Sequence, residues 1–258
     1  RDIDTIVDRA TSHAPVIDIV TSDDIGHTLW VLDDDRDIEA LVTLFAQVPA
    51  LYVADGHHRT AAAVRHGQMM RAKNPLPRGD EPYEFFMAVI FPHDQLQIMD
   101  YNRVVKDLNG ATPQQFMAKV EASFDVAVAD GPRPTTQHTF GMYLGERWYR
   151  LRAREGTFPA RDPVRSLDVA ILQDNLLAPI LGIQDPRTDK RIDFVGGIRG
   201  TQELERRVQD GAAVAFSMYP TSLGQLMAVA DSGQVMPPKS TWFEPKLRSG
   251  ITVRLLDE

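Results

Sequence analysis

The stretch Leu51-Tyr52-Val53-Ala54-Asp55-Gly56-His57-His58-Arg59-Thr60-Ala61-Ala62-Ala63-Val64 decides how the rest of the chain is read. A short apolar run, Leu51 to Ala54, fits a buried strand. It runs into Asp55-Gly56, a turn signal. Thr60 to about Ala72 then has the composition of a helix, so the segment reads as strand, tight turn and helix start. A helix start presents unpaired backbone N–H groups and a partial positive charge, which together attract anions. Gly56 lets the backbone bend or lets a ligand approach closely. His57, His58 and Arg59 add side-chain donors, and Arg59 can hold a phosphate through two parallel hydrogen bonds. Thr60 completes the cradle. Asp55 is suited to capping the helix or to holding a metal ion that bridges phosphates. The plainer alternative is a capped helix with two surface histidines.

Outward from this turn, helices and strands alternate. Residues 2–12 read as an amphipathic helix with Ile3, Ile6, Val7 and Ala10 on one side. Residues 15–20 and 27–32 read as strands. Asp35 to Gln47 reads as a helix with Ile38, Leu41, Val42 and Phe45 at helical spacing, and Tyr83 to Phe91 as a strand. The expected class is α+β, a mixed α/β layered fold. Beyond the Asn109-Gly110 turn, Pro113 to Ser123 is predicted helical, with proline suited to the first turn. Phe124-Asp125-Val126, Thr139 to Leu144 and Arg147 to Leu151 read as antiparallel strands, the last two joined at Gly145-Glu146. Leu167 to Leu181 reads as an apolar helix, Thr201 to Gln209 as a polar one, Ala212 to Met218 as a strand, Ser222 to Ala230 as a helix and Ile251 to Leu256 as a closing strand. The expected organisation is a first region over 1–108 that carries the Asp55 turn, a region which the resemblance given below implies to be nucleotide-binding, and an α+β region over 109–258. The second region includes a small antiparallel subdomain at about 111–153 and a C-terminal segment that completes the site.

The bulk composition removes whole classes of chemistry. The chain has 258 residues, enough for a sizeable core, and no cysteine, which excludes disulfides, thiolate metal sites and cysteine nucleophiles. Its formal net charge of −8 is unsuited to non-specific nucleic-acid binding, so no nucleic-acid partner is expected. No apolar run approaches the roughly 20 residues that span a bilayer. A cytoplasmic protein with no membrane partner is therefore the expectation. Adjacent His57 and His58 point apart on an extended chain, and no helix carries a His-x-x-x-His pair, which argues against a histidine-based metal hydrolase.

Three further constellations carry chemistry. In the run from Lys239 to Gly250, Lys239, Lys246 and Arg248 are candidates for a phosphate or a substrate carboxylate, and Glu244 for a base toward a hydroxyl. The same run also reads as a rigid loop anchored by Trp242 and Phe243. In Asp100-Tyr101-Asn102-Arg103, Asn102 and Arg103 can face one pocket, or the arginine can serve a strand end. Asp185 to Gly197 reads as a solvated loop with local ion pairs, with a second anion site at the start of the Thr201 helix as the sharper alternative. Ser222 reads as a helix cap.

Ala54-Asp55-Gly56-His57-His58-Arg59, Asp100-Tyr101-Asn102-Arg103-Val104-Val105 and Met236-Pro237-Pro238-Lys239-Ser240-Thr241-Trp242-Phe243-Glu244-Pro245-Lys246-Leu247-Arg248-Ser249-Gly250 together resemble a widespread prokaryotic domain-of-unknown-function family, family 1015. The chain looks like the C-terminal two-thirds of such a protein. The Asp-Gly-His-His-Arg element is also similar to the phosphate-binding turn of the ParB/sulfiredoxin superfamily. Free serine kinases of that superfamily carry such a turn and pass a phosphoryl group from a nucleotide to L-serine. The resemblance thus implies a ParB/sulfiredoxin-like core, ATP or ADP with Mg²⁺ as cofactors, and a small-molecule substrate. On it, Gly56 to Thr60 hold the nucleotide and Asp55 holds the metal or orients the hydroxyl. Sulfiredoxin chemistry needs a cysteine and is excluded; DNA partitioning would want a basic surface and a helix-turn-helix, and neither is found. Kinase chemistry survives, because it rests on positioning and on neutralising phosphate charge. A non-catalytic nucleotide-binding regulator is the alternative.

Overall fold

A computed structural model describes residues 2–255. It resolves into two units, residues 1–88 with 247–258 and residues 89–246. In the first, helix α1 (Asp2–Thr11) precedes an antiparallel pair of strands, β1 (Ile17–Val20) and β2 (Gly26–Leu29), in the register Ile17–Leu29 to Val20–Gly26. Helix α2 (Asp35–Phe45) starts where Asp34 caps it, its carboxylate accepting the N–H groups of Arg36 and Asp37 at 2.9 and 3.3 Å. An ion pair between Arg9 and Asp37 links α1 to α2.

Helix α3 (His57–Lys73) is the longest of the described helices. Gly67 sits inside it for a packing reason: a Cβ there would lie 2.9 Å from the Tyr83 carbonyl oxygen. The helix therefore presses backbone to backbone on the 3-10 turn Pro82–Glu84. Arg71 pairs with Glu84, and Asn74 Nδ2 donates to Tyr83 Oη at 2.8 Å. The buried Glu81 carboxylate accepts the N–H groups of Arg78 and Gly79 at 2.7 and 2.9 Å, and the Arg78 bond leads in holding it below the usual range.

Two predicted strands are absent. Leu51 to Ala54 is irregular, with Leu51 61% and Val53 43% exposed. Tyr83 to Phe91 gives the 3-10 turn and then irregular chain, with Phe85, Phe86, Met87, Val89 and Ile90 exposed. Neither run has a strand beside it to satisfy its backbone, and a short apolar run does not specify strand by itself. Ile6 faces inward in α1, but Val7 is exposed.

The second unit is built on an antiparallel sheet. Its elements are β3 (Gln97–Met99), β4 (Tyr101–Val105), α4 (Pro113–Ser123), β5 (Phe124–Val128), β6 (Thr139–Leu144), β7 (Arg147–Ala153), α5 (Asp168–Leu172), β8 (Ile192–Gly196), α6 (Gln202–Gln209), β9 (Val214–Met218), α7 (Leu223–Asp231) and β10 (Trp242–Glu244). Six strands pair in the order β5-β7-β6-β9-β4-β8, and β3 pairs separately with β10. The β6–β7 hairpin turns at Gly145 and Glu146, both at positive φ (56° and 62°), the geometry that suits the twist of paired strands. Helices α4 and α7 each open on a capping box, Thr112 with Gln115 and Ser222 with Gln225. Phe116 and Val120 of α4 pack with Phe124, Phe140, Leu151, Leu172, Leu176 and Phe216 in the core. Burying each such side chain contributes roughly 2 kcal/mol. The fold class is α+β, as expected.

Three further departures from the sequence reading occur, two in this unit and one, over residues 251–255, in the first. The apolar stretch Leu167 to Leu181 is not one α-helix: α5 gives way to a π-helical turn, Gln173–Leu177. Ile192–Gly196, expected in a solvated loop, is strand β8, pairing with β4 from Ile192–Val105 to Gly196–Tyr101. The ion pairs that suggested a loop, Arg187 with Asp185 and Arg191 with Asp189, precede the strand. The closing strand from Ile251 does not form over residues 251–255, and Leu256 lies outside the described residues. Among the described residues no helix is long and apolar enough to cross a membrane.

Candidate functional site

At the Asp55 turn, α3 begins at His57, three residues earlier than the sequence reading placed it. His57, His58 and Arg59 are thus the first helical residues. Their backbone N–H groups fall in the turn where no intrahelical acceptor exists. Gly56 is the N-cap, at φ +84°, and no side chain caps the helix. Asp55 does not cap; its Oδ1 accepts the Gly56 N–H at 2.8 Å. The first helical bond runs from Thr60 N–H to the Gly56 carbonyl at 2.9 Å.

Arg59 folds back over this cap. A Cβ on Gly56 would lie 3.1 Å from Arg59 Nη2 and 3.2 Å from Nε. The guanidinium, the free helix end and the glycine therefore meet at one point, where only hydrogen occupies the glycine side. No acidic residue stands in the first turn of α3 to cancel its dipole. Arg59 makes no ion pair among the described residues, and His57, His58 and Arg59 are exposed. The arrangement is chemically an oxyanion seat.

The start of α6, weighed as a second anion site, differs. Glu203 and Glu205 stand in its first turn, and Glu203 pairs with Arg206 and Arg207. Carboxylates already take the positive end of that helix. For a metal, Asp55 is a single carboxylate. No group of three or more His, Asp or Glu among the described residues is placed to hold an ion. Mg²⁺ that keeps its waters and phosphate ligands needs only one or two carboxylates.

Arg248 belongs to the same unit as the Asp55 turn, and its Nη1 lies 3.4 Å from Asp23 Oδ2. Asn102, Arg103, Lys239, Glu244 and Lys246 belong to the other unit, where three motifs converge. Asn102 is buried in β4; its Oδ1 accepts Met218 N–H at 2.9 Å and its Nδ2 donates to Asp100. Its amide is committed to tying β4 to β9. Arg103 is also buried, its Nη1 donating to the Tyr101 carbonyl and its Nη2 to the Lys239 carbonyl at 3.0 Å. Burial, without a carboxylate to offset it, pushes the Arg103 guanidinium down to about 10. Lys239 stands on the surface, its Nζ 3.4 Å from Tyr101 Oη.

Glu244 lies on β10, and both its oxygens are engaged: Oε1 accepts Trp242 Nε1–H at 2.6 Å, Oε2 the Lys246 N–H at 3.0 Å. Lys246 Nζ sits 5.3 Å from the centre of the Trp242 ring. Gly196 and Gly197 allow this convergence. A Cβ on Gly196 would be 2.6 Å from the Trp242 ring, and one on Gly197 would be 2.2 Å from Asp100 Oδ1. The sequence reading places Phe194, Gly196 and Gly197 in a loop leading to the Thr201 helix, and their packing against the Trp242 and Asp100 cluster comes from the β8–β4 pairing that it does not anticipate.

Sequence reasoning also passed over Asp168. Its carboxyl is buried at the start of α5, with Oδ1 accepting His138 N–H at 2.9 Å and Oδ2 without a hydrogen-bond partner among the described residues. Burial pushes it up to about 7. Nothing in Ser166-Leu167-Asp168 sets it apart from an ordinary helix-start acid.

Comparison with known proteins gives the following. The chain is similar to a free serine kinase mutant in complex with AMP (10% identity, 93% of this chain and 78% of that chain, TM-score 0.39). It is similar to a mutant of that kinase in complex with ADP (12%, 94% and 79%, TM-score 0.38). A conserved hypothetical protein from Pyrococcus furiosus is similar at 12% identity, over 94% of this chain and 82% of that chain, with a TM-score of 0.36. No curated protein matches the chain. The model of the family described as "Protein of unknown function (DUF1015)" matches residues 1–170. With most of its length matched by that model, the chain belongs to the DUF1015 family.

Proposed function

We propose that this protein is a nucleotide-dependent kinase that transfers a phosphoryl group from ATP or ADP to a small hydroxylated metabolite, free L-serine being the favoured acceptor. The observation that carries the reading is the uncapped start of α3 with the Arg59 guanidinium folded over Gly56. The N–H groups of His57, His58 and Arg59 bind phosphate oxygens, and Arg59 adds two parallel donors that fix the phosphate's orientation. In the reaction the bond from the transferred phosphorus to the leaving nucleotide oxygen breaks. A bond to the acceptor oxygen forms, and the hydroxyl proton passes to solvent water. The chain's part is to position and to neutralise, which is most of what phosphoryl transfer asks of a protein. Asp55 would hold a metal ion or orient the attacking hydroxyl. Mg²⁺, when bound, supplies further neutralisation of phosphate charge.

The test is incubation of the protein with ATP or ADP, Mg²⁺ and a panel of amino acids and hydroxy acids, with phosphorylated product followed by ³¹P NMR. Phosphoserine is the expected product. Nucleotide binding without turnover of any acceptor would reject the kinase in favour of a nucleotide-binding regulator. In calorimetric titration, Arg59→Ala is expected to weaken nucleotide binding at least about tenfold, since a charge-assisted bidentate contact is worth on the order of 1.5–3 kcal/mol. Unchanged affinity would remove the phosphate seat from Arg59.

A further inference from the structure

Lys239 is held in a conformation that side-chain-bearing residues rarely adopt, at φ +55°. The backbone around it is fixed from two sides. Its own carbonyl accepts Arg103 Nη2 at 3.0 Å, and the next carbonyl, that of buried Ser240, accepts Thr221 Oγ1 at 3.1 Å. Pro237 and Pro238 stiffen the approach. The result is an ammonium group set over aromatic rings, 5.6 Å from the Tyr101 centroid and 6.0 Å from that of Phe194.

Arg103 shares the Phe194 ring, with its Cζ 5.6 Å from the centroid. Two cations therefore meet one ring. Neither pairs with a carboxylate among the described residues, and Arg103 Nε has no acceptor. The acids of the same cluster are committed elsewhere, Asp100 to Asn102 and Glu244 to Trp242 Nε1 and the Lys246 N–H. In a chain of net charge −8, a pair of cations left without acids is a local excess that an anion would balance.

We propose that Lys239 is the binding residue of an oxyanion site within residues 89–246, for the carboxylate or phosphate group of a small metabolite, and that Arg103 is its positioning residue. Arg103 acts through the Lys239 carbonyl and does not touch the anion. The aromatic shelf orients the ammonium while leaving its outer side for the ligand. The proposal goes beyond the nucleotide reading and does not depend on the Asp55 turn.

The test uses the whole protein with its lysines reductively ¹³C-methylated, a change that keeps their charge. The Lys239 signal is assigned by its loss in Lys239→Met. Rings beneath the ammonium are expected to displace this signal upfield of the other lysines. Titration with inorganic phosphate and, separately, acetate is expected to move it saturably. Saturation by phosphate alone names a phosphate ligand, and saturation by acetate alone a carboxylate. Failure of both anions to move it saturably overturns the site.

Arg103→Lys keeps a cation but not the guanidinium fork, and should abolish the upfield displacement and weaken anion binding at least fivefold. Thr221→Val loosens the loop from the Ser240 side and serves if the buried arginine cannot be replaced without unfolding. An unmoved Lys239 signal and unchanged affinity in these variants overturn the positioning role. The titration is repeated in Arg59→Ala. A retained response keeps this site separate from the nucleotide turn, so either can fail without the other; a response lost there assigns the anion to the Asp55 turn and overturns the proposal.

Discussion

Gly56 carries two requirements at once, a left-handed backbone and room for the Arg59 guanidinium. Gly56→Ala meets both. The strained backbone costs on the order of 1–2 kcal/mol, and the new methyl displaces the guanidinium. Thermal melts should register the first effect and nucleotide titration the second; unaltered affinity in a folded variant would show that Arg59 binds from another position. Asp168 yields a pH prediction. Its carboxyl titrates at about 7 in the fold against 3.8 ordinarily, because burial penalises the charge. The native state thus keeps a proton that the unfolded chain has released. The contribution of this group to stability therefore falls as pH rises from about 4 to about 7 and levels off above. Asp168→Asn retains an acceptor for the His138 N–H and cannot ionise. Melting temperatures taken across this window should lose most of that fall in the variant, and an undiminished slope would place its origin in other groups.

Among the elements, what could be read from sequence follows the range of the interactions that make them. Helices α4 and α7 are legible because their starts are marked locally, α4 by Pro113 in its first turn and α7 by the Ser222 hydroxyl that caps it. Removing such a cap, as in Ser222→Ala, should cost about 1 kcal/mol in denaturant titration. The β6–β7 hairpin was legible for the same reason, its turn residues lying between its strands. Leu51 to Ala54 and Tyr83 to Phe91 were misread because an apolar run becomes a strand only when a neighbour takes up its hydrogen bonds. β8 and β10 were missed in the opposite way, their partners β4 and β3 being distant in sequence. The two clusters of candidate residues differ along the same line. The Asp55 turn is contiguous and could be found, whereas Tyr101, Phe194, Lys239 and Trp242 come together only through strand pairing. Asn102 was read as a contact to a ligand, yet its amide bridges β4 and β9 from within. Asn102→Leu strands the Met218 N–H and should cost roughly 1–3 kcal/mol by chemical denaturation; a smaller loss would show that the bridge is dispensable.

At the scale of the whole molecule, apolar burial is distributed unevenly. The buried apolar side chains lie almost entirely in residues 89–246, and among the described residues of the other unit Ile6 alone is of this kind. Opening free energies follow local burial. Amides of β4, β6 and β9 should therefore exchange hydrogen only through global unfolding, while those of α2 and α3 exchange orders of magnitude faster. Uniform protection across both units would contradict this. The pairing of β3 with β10 has a consequence for the chain's architecture. These strands lie near the two points where the backbone passes between units, and Gln97 stands opposite Glu244. Neighbouring strands run roughly 5 Å apart. Residues 89–246 thus form one unit from a single uninterrupted stretch, while the other unit is assembled from the chain on both sides of it, in the manner of a cassette spliced into a host.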